Sequence, residues 1–152
     1  MSNGPANLTA VQLCLRNVVL TLPQLPAARA FENIAFTPTI NQPYIAEQFI
    51  PATQTLQGLL KSGLIEATGL YVIQWYGVLN TGLAAMTAGV DALLALFPPG
   101  ASFTTTTGDV VRIRGDVAPF RGQIHYDDSR TGAPGWALCA VKIPWRVYTN
   151  IA

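Results

Sequence analysis

Apolar residues recur at helical spacing in the first part of the chain. The intervals are four, three and four residues, through Val11, Leu15, Val18 and Leu22. Such spacing places these side chains along one face of a helix. Thr9 and Gln12 have the spacing of a capping box, and Pro23 ends the pattern because it cannot donate to the helical ladder. We predict a helix over residues 9–22, with Gln12 and Arg16 on a more hydrated face.

A second stretch has the same periodicity and almost no charge. Its apolar positions step by three, four, three and four residues, through Leu83, Met86, Val90, Leu93 and Phe97. Asn80 or Thr81 can cap its start, and Pro98 stops it. Asp91 is its only charged residue. A second helix is therefore predicted here, and its lack of charge indicates contacts on more than one side.

The segment between these helices favours strands. We predict one strand over residues 31–36 and another over residues 44–50, ending at Pro51. Residues 53–62 are largely polar, which suits an exposed hairpin arm or a loop. Residues 64–76 form the strongest strand of this half, because bulky β-favouring side chains are concentrated there.

Alternation also marks the C-terminal part. Residues 110–114 alternate apolar and basic side chains, as an edge strand does, and residues 123–126 suit a short strand. Residues 127–135 have the composition of a loop. Residues 137–149 show the clearest alternation of the chain. Within them Pro144 lacks an N–H, so it predicts a sheet edge or a bulge at that point.

The order of these elements defines the fold class. Helix, strands, helix and strands indicate an α+β fold, a mostly antiparallel sheet with two main helices packed on it. The length suits a single domain over residues 1–152, long enough to bury one core. Residues 1–7 are expected to be flexible.

The composition narrows the class of protein. Half of the 152 residues are hydrophobic, 11% are charged, and the formal net charge is +1. Soluble domains carry about 25% charged residues, so we expect other subunits to cover much of the surface. The small net charge argues against a dedicated nucleic-acid binder. The most apolar window, residues 83–97, is shorter than the roughly 20 residues that span a membrane, and the first residues lack the basic region of a secretory signal.

No constellation of catalytic residues stands out. His125 is the only His, and with Asp127 and Asp128 it could hold a divalent ion, although a solvated loop is the favoured interpretation. The chain has no P-loop, dinucleotide-binding or nucleophile-elbow motif. Cys14 and Cys139 lie in apolar patterns and are expected to be free core residues rather than an incidental disulfide. We expect no enzyme, no metal and no cofactor.

Basic residues fall on the polar faces of the predicted C-terminal strands. They are Arg112, Arg114, Lys142 and Arg146. If these strands were neighbours, the four side chains would form one cationic stripe. One interpretation is an ordinary solvated sheet face. The other is a stripe that faces a phosphate backbone in a channel or acidic residues of a partner subunit.

Several segments match a known family in order and spacing. Residues 31–38 and 43–45 read FENIAFTP and PYI, residues 69–76 read GLYVIQWY, residues 97–100 read FPPG, and residues 141–148 read VKIPWRVY. Together they span nearly the whole chain, and they resemble the tail terminator proteins of long-tailed bacteriophages.

The resemblance implies an α+β subunit that assembles as a homohexameric ring at the head-proximal end of the phage tail. Such a ring caps the tail tube, stops its polymerisation and presents the surface that joins a head-completion protein. Genomic DNA passes through the lumen without sequence-specific binding. The expected location is the virion, after assembly in the host cytoplasm, with no membrane involved.

Within this expectation, the four basic residues face the lumen or a partner. The ring contacts are expected in the predicted arm and in the loop after the second helix, at Thr53, Gln54, Thr55, Gln57, Lys61, Phe103, Thr104 and Thr105. Two alternatives stay open. One is another connector component, such as a head-closure or tail-tube subunit. The other is a small hydrolase or ligand-binding module around His125.

Overall fold

Two helices and eight strands build the part of the chain that this computed structural model describes, which is residues 4–32, 34–39, 41–57, 63–78, 83–126 and 135–150. The helices are α1 (Leu8–Val19) and α2 (Ala84–Ala95). The strands are β1 (Ala28–Ala30), β2 (Tyr44–Gln57), β3 (Leu64–Val78), β4 (Ser102–Thr104), β5 (Val110–Ile113), β6 (Phe120–Arg121), β7 (His125–Tyr126) and β8 (Trp136–Asn150).

The strands form one sheet around three long members. Its order is β1-β2-β3-β8-β5-β4, and β6 and β7 also pair with β8. β1 runs parallel to β2, whereas the other pairs among the described strands are antiparallel. The long strands β2, β3 and β8 have 14, 15 and 15 residues. The predicted α+β class and the mostly antiparallel sheet are therefore confirmed.

One face of the sheet carries the hydrophobic core, and we call it the inner face. Because successive side chains of a strand point to opposite sides, the core takes alternate residues of β3 and β8. They are Ala67, Tyr71, Ile73 and Trp75 in β3, and Cys139, Val141, Ile143, Trp145 and Val147 in β8. Both helices contribute side chains to the same core. The other alternate residues form the outer face, where most side chains are half-buried.

Asn7, not Thr9, caps α1. Its backbone is extended, and its Oδ1 accepts a hydrogen bond from the backbone N–H of Ala10 at 3.0 Å. The predicted capping box is wrong because Thr9 already lies inside the helix. The apolar stripe is confirmed, since Val11 and Leu15 are fully buried.

The start of α2 has no side-chain cap. Its N-cap is Leu83, which makes no capping hydrogen bond, and the predicted caps Asn80 and Thr81 lie outside the described residues. The apolar stripe is confirmed at its four later positions, Met86, Val90, Leu93 and Phe97, which are at most 4% exposed. The opposite side of α2 is mostly alanine and exposed, so the contacts expected there stay a prediction.

Gly89 allows α2 to lie close to the sheet. A Cβ at this position would come within 2.4 Å of the Trp75 ring. Alanine in place of glycine normally stabilises a helix by about 1 kcal/mol. Here overpacking against Trp75 should reverse the sign, so that Gly89→Ala lowers the free energy of unfolding by about 2 kcal/mol in a urea titration.

An exposed neighbour in the same helix supplies the control for Gly89→Ala. Ala88 is exposed, so Ala88→Gly should lose only the helix-propensity difference of about 1 kcal/mol. Gly89→Ala and Ala88→Gly, which are opposite substitutions at adjacent positions, should then both lower the free energy of unfolding. Helix propensity alone would give the two substitutions opposite signs. A Gly89→Ala protein as stable as the wild type would contradict the close packing.

The first predicted strand is misplaced. The described residues within 31–36 form no strand, and β1 lies earlier, where it pairs with the first residues of β2. The segment after β1 meets β2 through a side chain instead. The carboxylate of Glu32 accepts a hydrogen bond from the backbone N–H of Phe49 at 2.7 Å. This bond takes the Phe49 N–H that an adjacent strand at this edge of β2 would use.

β2 does not end at Pro51 but continues to Gln57. The N–H of Phe49 points away from β3 toward Glu32, and the nitrogen of Pro51, two residues later, points the same way. Its missing N–H therefore removes no bond to β3. The pairing passes a bulge between Pro51 and Thr53 and then continues. The hairpin-arm interpretation of residues 53–62 is confirmed for 53–57, and residues 58–62 lie outside the described part.

β8 is a central strand, so the edge or bulge predicted at Pro144 is wrong. The pairing of Pro144 with Leu70 of β3 shows no register shift. The backbone N–H of Arg114 donates to the carbonyl of Pro144 at 3.0 Å, which places the backbone groups of Pro144 on the side away from β3. On that side Trp145 pairs with β5 and Lys142 pairs with β6. The missing N–H falls in the break between these two strands.

Residues 4–7 connect the N-terminus to β8 and α1. The N–H of Gly4 donates to the carbonyl of Asn150 at 2.7 Å, and the hydroxyl of Thr149 donates to the carbonyl of Gly4 at 2.5 Å. Flexibility is expected for residues 1–7. Residues 1–3 lie outside the described part, whereas residues 4–7 are held by these bonds and by the Asn7 cap.

Candidate functional site

Arg112 and Arg146 face each other across two neighbouring strands. β5 pairs with β8, and in that register Arg112 lies directly opposite Arg146. Both belong to the outer face, because the flanking Val111 and Val147 are buried on the inner face. Strands that are distant in the chain thus bring two of the four predicted basic residues together. Their role at the site stays a prediction.

Lys142 extends this pair along β8. It lies four residues before Arg146 on the same face, a distance of about 14 Å along an extended strand. Its Nζ lies 5.8 Å from the centre of the Phe120 ring. Neither Lys142 nor Arg112 forms an ion pair with another residue that the structure describes. These two cations are therefore the least neutralised of the group.

Arg114 and Arg146 are already engaged within the subunit. The Nε of Arg114 donates to Asp116 at 3.0 Å, and this guanidinium holds the pKa of that exposed carboxyl at about 2. Arg146 lies 3.9 Å from Glu66 and stacks its guanidinium 5.5 Å from the centre of the Tyr148 ring. We call the four basic residues the cationic row, in which Arg112 and Lys142 are the least neutralised.

The predicted ring-contact residues of β2 lie on an exposed arm. We define the arm as residues 53–57 of β2 with the paired residues 64–68 of β3. All five β2 residues of the arm are exposed, including the candidates Thr53, Gln54, Thr55 and Gln57. The Nε2 of Gln57 donates to Glu66 at 2.7 Å. Lys61 lies outside the described residues.

The three candidates after α2 differ in accessibility. Phe103 is half-buried, with its ring 5.8 Å from that of Phe97, and Thr104 is exposed. Thr105 is buried, and its hydroxyl accepts a hydrogen bond from the N–H of Asp109 at 3.1 Å. The side chain of Thr105 therefore stabilises its own turn, and only Phe103 and Thr104 present surface to a partner.

A buried ionic cluster joins α1 to the sheet, and the sequence patterns missed it. Glu47 of β2 accepts hydrogen bonds from the Nε of Arg16 at 2.8 Å, the Nε2 of Gln12 at 2.9 Å and the hydroxyl of Tyr71 at 2.5 Å. The predicted hydrated face of α1 therefore points into the structure. A signal was present in the sequence, because Glu47 lies two residues from both Ile45 and Phe49 and so points to the same face of the strand as these apolar residues. A carboxylate that points inward requires a partner.

The electrostatics of this cluster favour the ion pair. Burial raises the pKa of Glu47, but hydrogen bonds from Arg16, Tyr71 and Gln12 outweigh it and bring that pKa below its ordinary value. The hydrogen bond to Glu47 raises the pKa of Arg16. Burial and the adjacent carboxylate raise the pKa of Tyr71, which keeps the phenol neutral. The cluster is arranged to hold α1 in place rather than to exchange protons.

Groups suited to catalysis do not converge in the described part of the chain. His125 is exposed on β7, and Asp127 and Asp128 lie outside the described residues. No three potential metal ligands come together among the residues that the structure describes. Cys14 and Cys139 are free, and burial raises the pKa of both thiols. In the described chain no helix has the length and apolarity to cross a membrane.

Comparison with known proteins identifies the class. The family model described as phage tail terminator protein matches residues 10–145. The sheet and its exposed surfaces therefore belong to a structural protein of a bacteriophage tail. The chain belongs to the phage tail terminator family. As a member of this family it is a virion protein that interacts with other virion components, such as the tail tube and the head.

Two of the solved structures that match this chain have low sequence identity to it. One, whose name states no function, has a TM-score of 0.65 and 19% identity, over 91% of this chain and 91% of that chain. Another, from the virion of a native gene transfer agent particle, has a TM-score of 0.49 and 12% identity, over 96% of this chain and 99% of that chain. A search of curated proteins finds no match.

Proposed function

We propose that six copies of this chain form a ring that caps the tail tube, stops its polymerisation and joins the tail to the head. DNA passes through the lumen of the ring, and the protein acts by assembly rather than by catalysis. Membership of the tail terminator family supports the role. The observation that carries the proposal within the subunit is the cationic row on the outer face.

The position of the cationic row suits a lumen or a docking surface. Arg112 and Lys142 are side chains of an open sheet face, and neither is paired within the described subunit. Repeated six times around a ring, they would present a ring of positive charge. Such a surface attracts a phosphate backbone or an acidic partner without reading sequence.

The arm and the residues after α2 are the proposed ring contacts. The arm is exposed on β2, and Phe103 and Thr104 present surface on the far side of the sheet order. A closed ring uses two different surfaces on each subunit, one for each neighbour. Two separated surfaces satisfy this requirement.

Charge reversal tests the cationic row. The double variant Arg112→Glu/Lys142→Glu should fold and form rings as the wild type does, because both side chains lie on the outer face. Joining of variant tails to DNA-filled heads should fall about tenfold or more, since juxtaposed like charges cost several kcal/mol. The measurement counts joined particles by negative-stain microscopy, with thermal unfolding as the check on folding.

Arg121 supplies the matched control for charge reversal. It is basic and 41% exposed at its side chain, but it lies opposite Val141 and so belongs to the inner face, where it pairs with Asp91. Arg121→Glu should leave head joining unchanged. Normal head joining by the double variant would show that the cationic row is an ordinary solvated face.

The assembly of the wild-type protein separates the proposed function from its alternative. Filaments of the wild-type protein would indicate a tail-tube subunit instead of a terminator.

A further inference from the structure

The arm and β4 lie at opposite ends of one transverse row of the sheet. Thr53 pairs with Thr68, Thr68 with Arg146, Arg146 with Arg112, and Arg112 with Ser102. This row crosses five strands, and four strand spacings amount to about 19 Å. The arm of a subunit therefore borders one side of the sheet at the level where β4 borders the other side.

A groove opens beside β4. Its volume is about 450 Å³, and it lies between α1 and the β4 segment. Leu13, Val18 and Phe103 supply apolar surface, and Leu13 is 42% exposed. The remaining lining groups are small and uncharged, such as Asn17 and Ser102. The groove thus offers an apolar floor with a neutral polar rim.

On the groove side, β4 pairs with no other strand that the structure describes. Phe103 and Thr105 direct their backbone groups toward β5, as shown by the bond from the Thr105 N–H to the Asp109 carbonyl at 2.8 Å. Ser102 and Thr104 therefore direct theirs away from β5. β4 ends the sheet order, and the Cys14 thiol reaches the carbonyl of Thr104 at 3.6 Å. An unpaired strand edge of this kind accepts another strand.

The arm has the matching chemistry. Leu56 is 56% exposed and lies opposite Ile65 of β3. Ile65 is two residues from the buried Ala67 and therefore points to the same, inner face, as does Leu56. The neighbouring Thr and Gln side chains of β2 are uncharged. β1 pairs only with the first three residues of β2, so the edge of β2 along the arm is open among the described strands.

We propose that the arm of one copy docks along β4 of the next copy, with Leu56 in the groove between α1 and β4. This inference rests on the proposed ring and names the surfaces that join its subunits. Edge-to-edge pairing continues the inner face from one copy to the next, which directs Leu56 to the α1 side of β4. The groove lining and the exposed β2 side chains of the arm are uncharged, and Glu66, the charged residue of the described arm, lies on the outer face away from the groove. Docking of Leu56 into the groove therefore removes no charged group from water.

A second copy is the occupant that the geometry favours. The arm cannot reach the groove of its own subunit, because the arm and β4 lie at opposite edges of the sheet, about 19 Å apart. Contact between unlike surfaces of identical subunits is head-to-tail, and such contacts close into rings or extend as filaments. In a closed ring the rotation axis relates all copies, so every copy of Arg112 and Lys142 has the same position relative to that axis.

Cys14 provides a native reporter for this docking. It lines the groove, its thiol is free, and it is partly accessible. The variant Leu56→Cys places a second thiol on the exposed arm. Mild oxidation of the full-length protein should then produce a ladder of disulfide-linked species up to the ring size on a non-reducing gel. The double variant Leu56→Cys/Cys14→Ala and the off-arm variant Val117→Cys should give no ladder, although Val117 is 44% exposed.

Two further variants separate this inference from the proposed ring. Leu56→Glu and Leu13→Glu should each dissociate the assembly in native mass spectrometry, and their equimolar mixture should form a dimer through the one intact interface. If the wild type forms rings, Leu56→Cys gives no ladder and neither glutamate substitution dissociates the ring, the docking is overturned and the ring stands. If the wild type forms no oligomer even on tail tubes, and Leu56→Cys gives no ladder, both proposals are overturned.

Discussion

Replacing Glu47 with Ala should lower the free energy of unfolding by about 4 kcal/mol, because removing one partner of a buried ion pair leaves the other uncompensated. The side chain of Glu47 is completely buried and that of Arg16 is 17% exposed. The substitution also leaves the hydroxyl of Tyr71 and the amide of Gln12 without their acceptor. Chemical denaturation at neutral pH measures the loss.

Glu66→Ala is the matched control for Glu47→Ala. Glu66 pairs with Arg146 at 3.9 Å near the arm and is partly exposed. Pairs of this kind contribute about 0–1 kcal/mol, so Glu66→Ala should change stability little. A loss at Glu47 no larger than that at Glu66 would contradict the role of the cluster.

The same cluster predicts the response to acid. The pKa of Glu47 lies below its ordinary value of 4.5 in the folded protein. Its contribution is therefore complete above pH 4.5 and is lost as the pH falls through the lowered folded pKa. The stability difference between the wild type and Glu47→Ala should accordingly shrink in acid, which a series of unfolding curves below pH 4.5 measures.

Replacing Trp145 with Ala should be about as damaging as removing Glu47, at about 4 kcal/mol. The Trp145 side chain is fully buried, stacks on Phe49 with ring centres 5.2 Å apart, and lies directly opposite Gly69 of β3. A Cβ at Gly69 would come within 2.6 Å of the Trp145 ring, so the ring fills the space above the glycine. Its removal leaves a cavity that neighbouring strands cannot close.

Trp136 tests whether burial rather than residue type sets this loss. It belongs to the same strand but lies half-buried on the outer face, with its ring 5.7 Å from that of Tyr44. Trp136→Ala should cost only about 1 kcal/mol, the value of an exposed aromatic pair. Equal losses at both positions, measured by thermal unfolding, would show that Trp145 is not the anchor of the core.

The sequence predicts those elements whose own residues show a complete hydrophobic periodicity. β8 alternates over its whole length, and α2 repeats apolar residues at helical intervals, so burial selects one face in each. The short β1 has no such pattern. Its place depends on the free edge at the start of β2, which only the assembled sheet defines. The same applies to Pro144, which is tolerated because β5 and β6 leave a break beside it.

In the candidate site, too, the sequence shows the residue types, whereas their contacts depend on the assembled fold. Arg112 and Arg146 are visible in the sequence as basic residues on strands, but their direct opposition depends on the register between β5 and β8. The ionic cluster was missed because the sequence pattern places Gln12 and Arg16 on the hydrated side of an amphipathic helix. Only the meeting of α1 with Glu47 changes that side into an interior one. The accessibility of Phe103 and Thr104, compared with Thr105, likewise depends on a turn closed by Asp109.

The most direct test of the proposed function is native mass spectrometry of the full-length protein, free and on tail tubes, with negative-stain images of the same samples. We expect a closed species of six copies, about six times 16.3 kDa, seen as a ring with a central hole. Open filaments, or a protein that stays monomeric even on tail tubes, would contradict it.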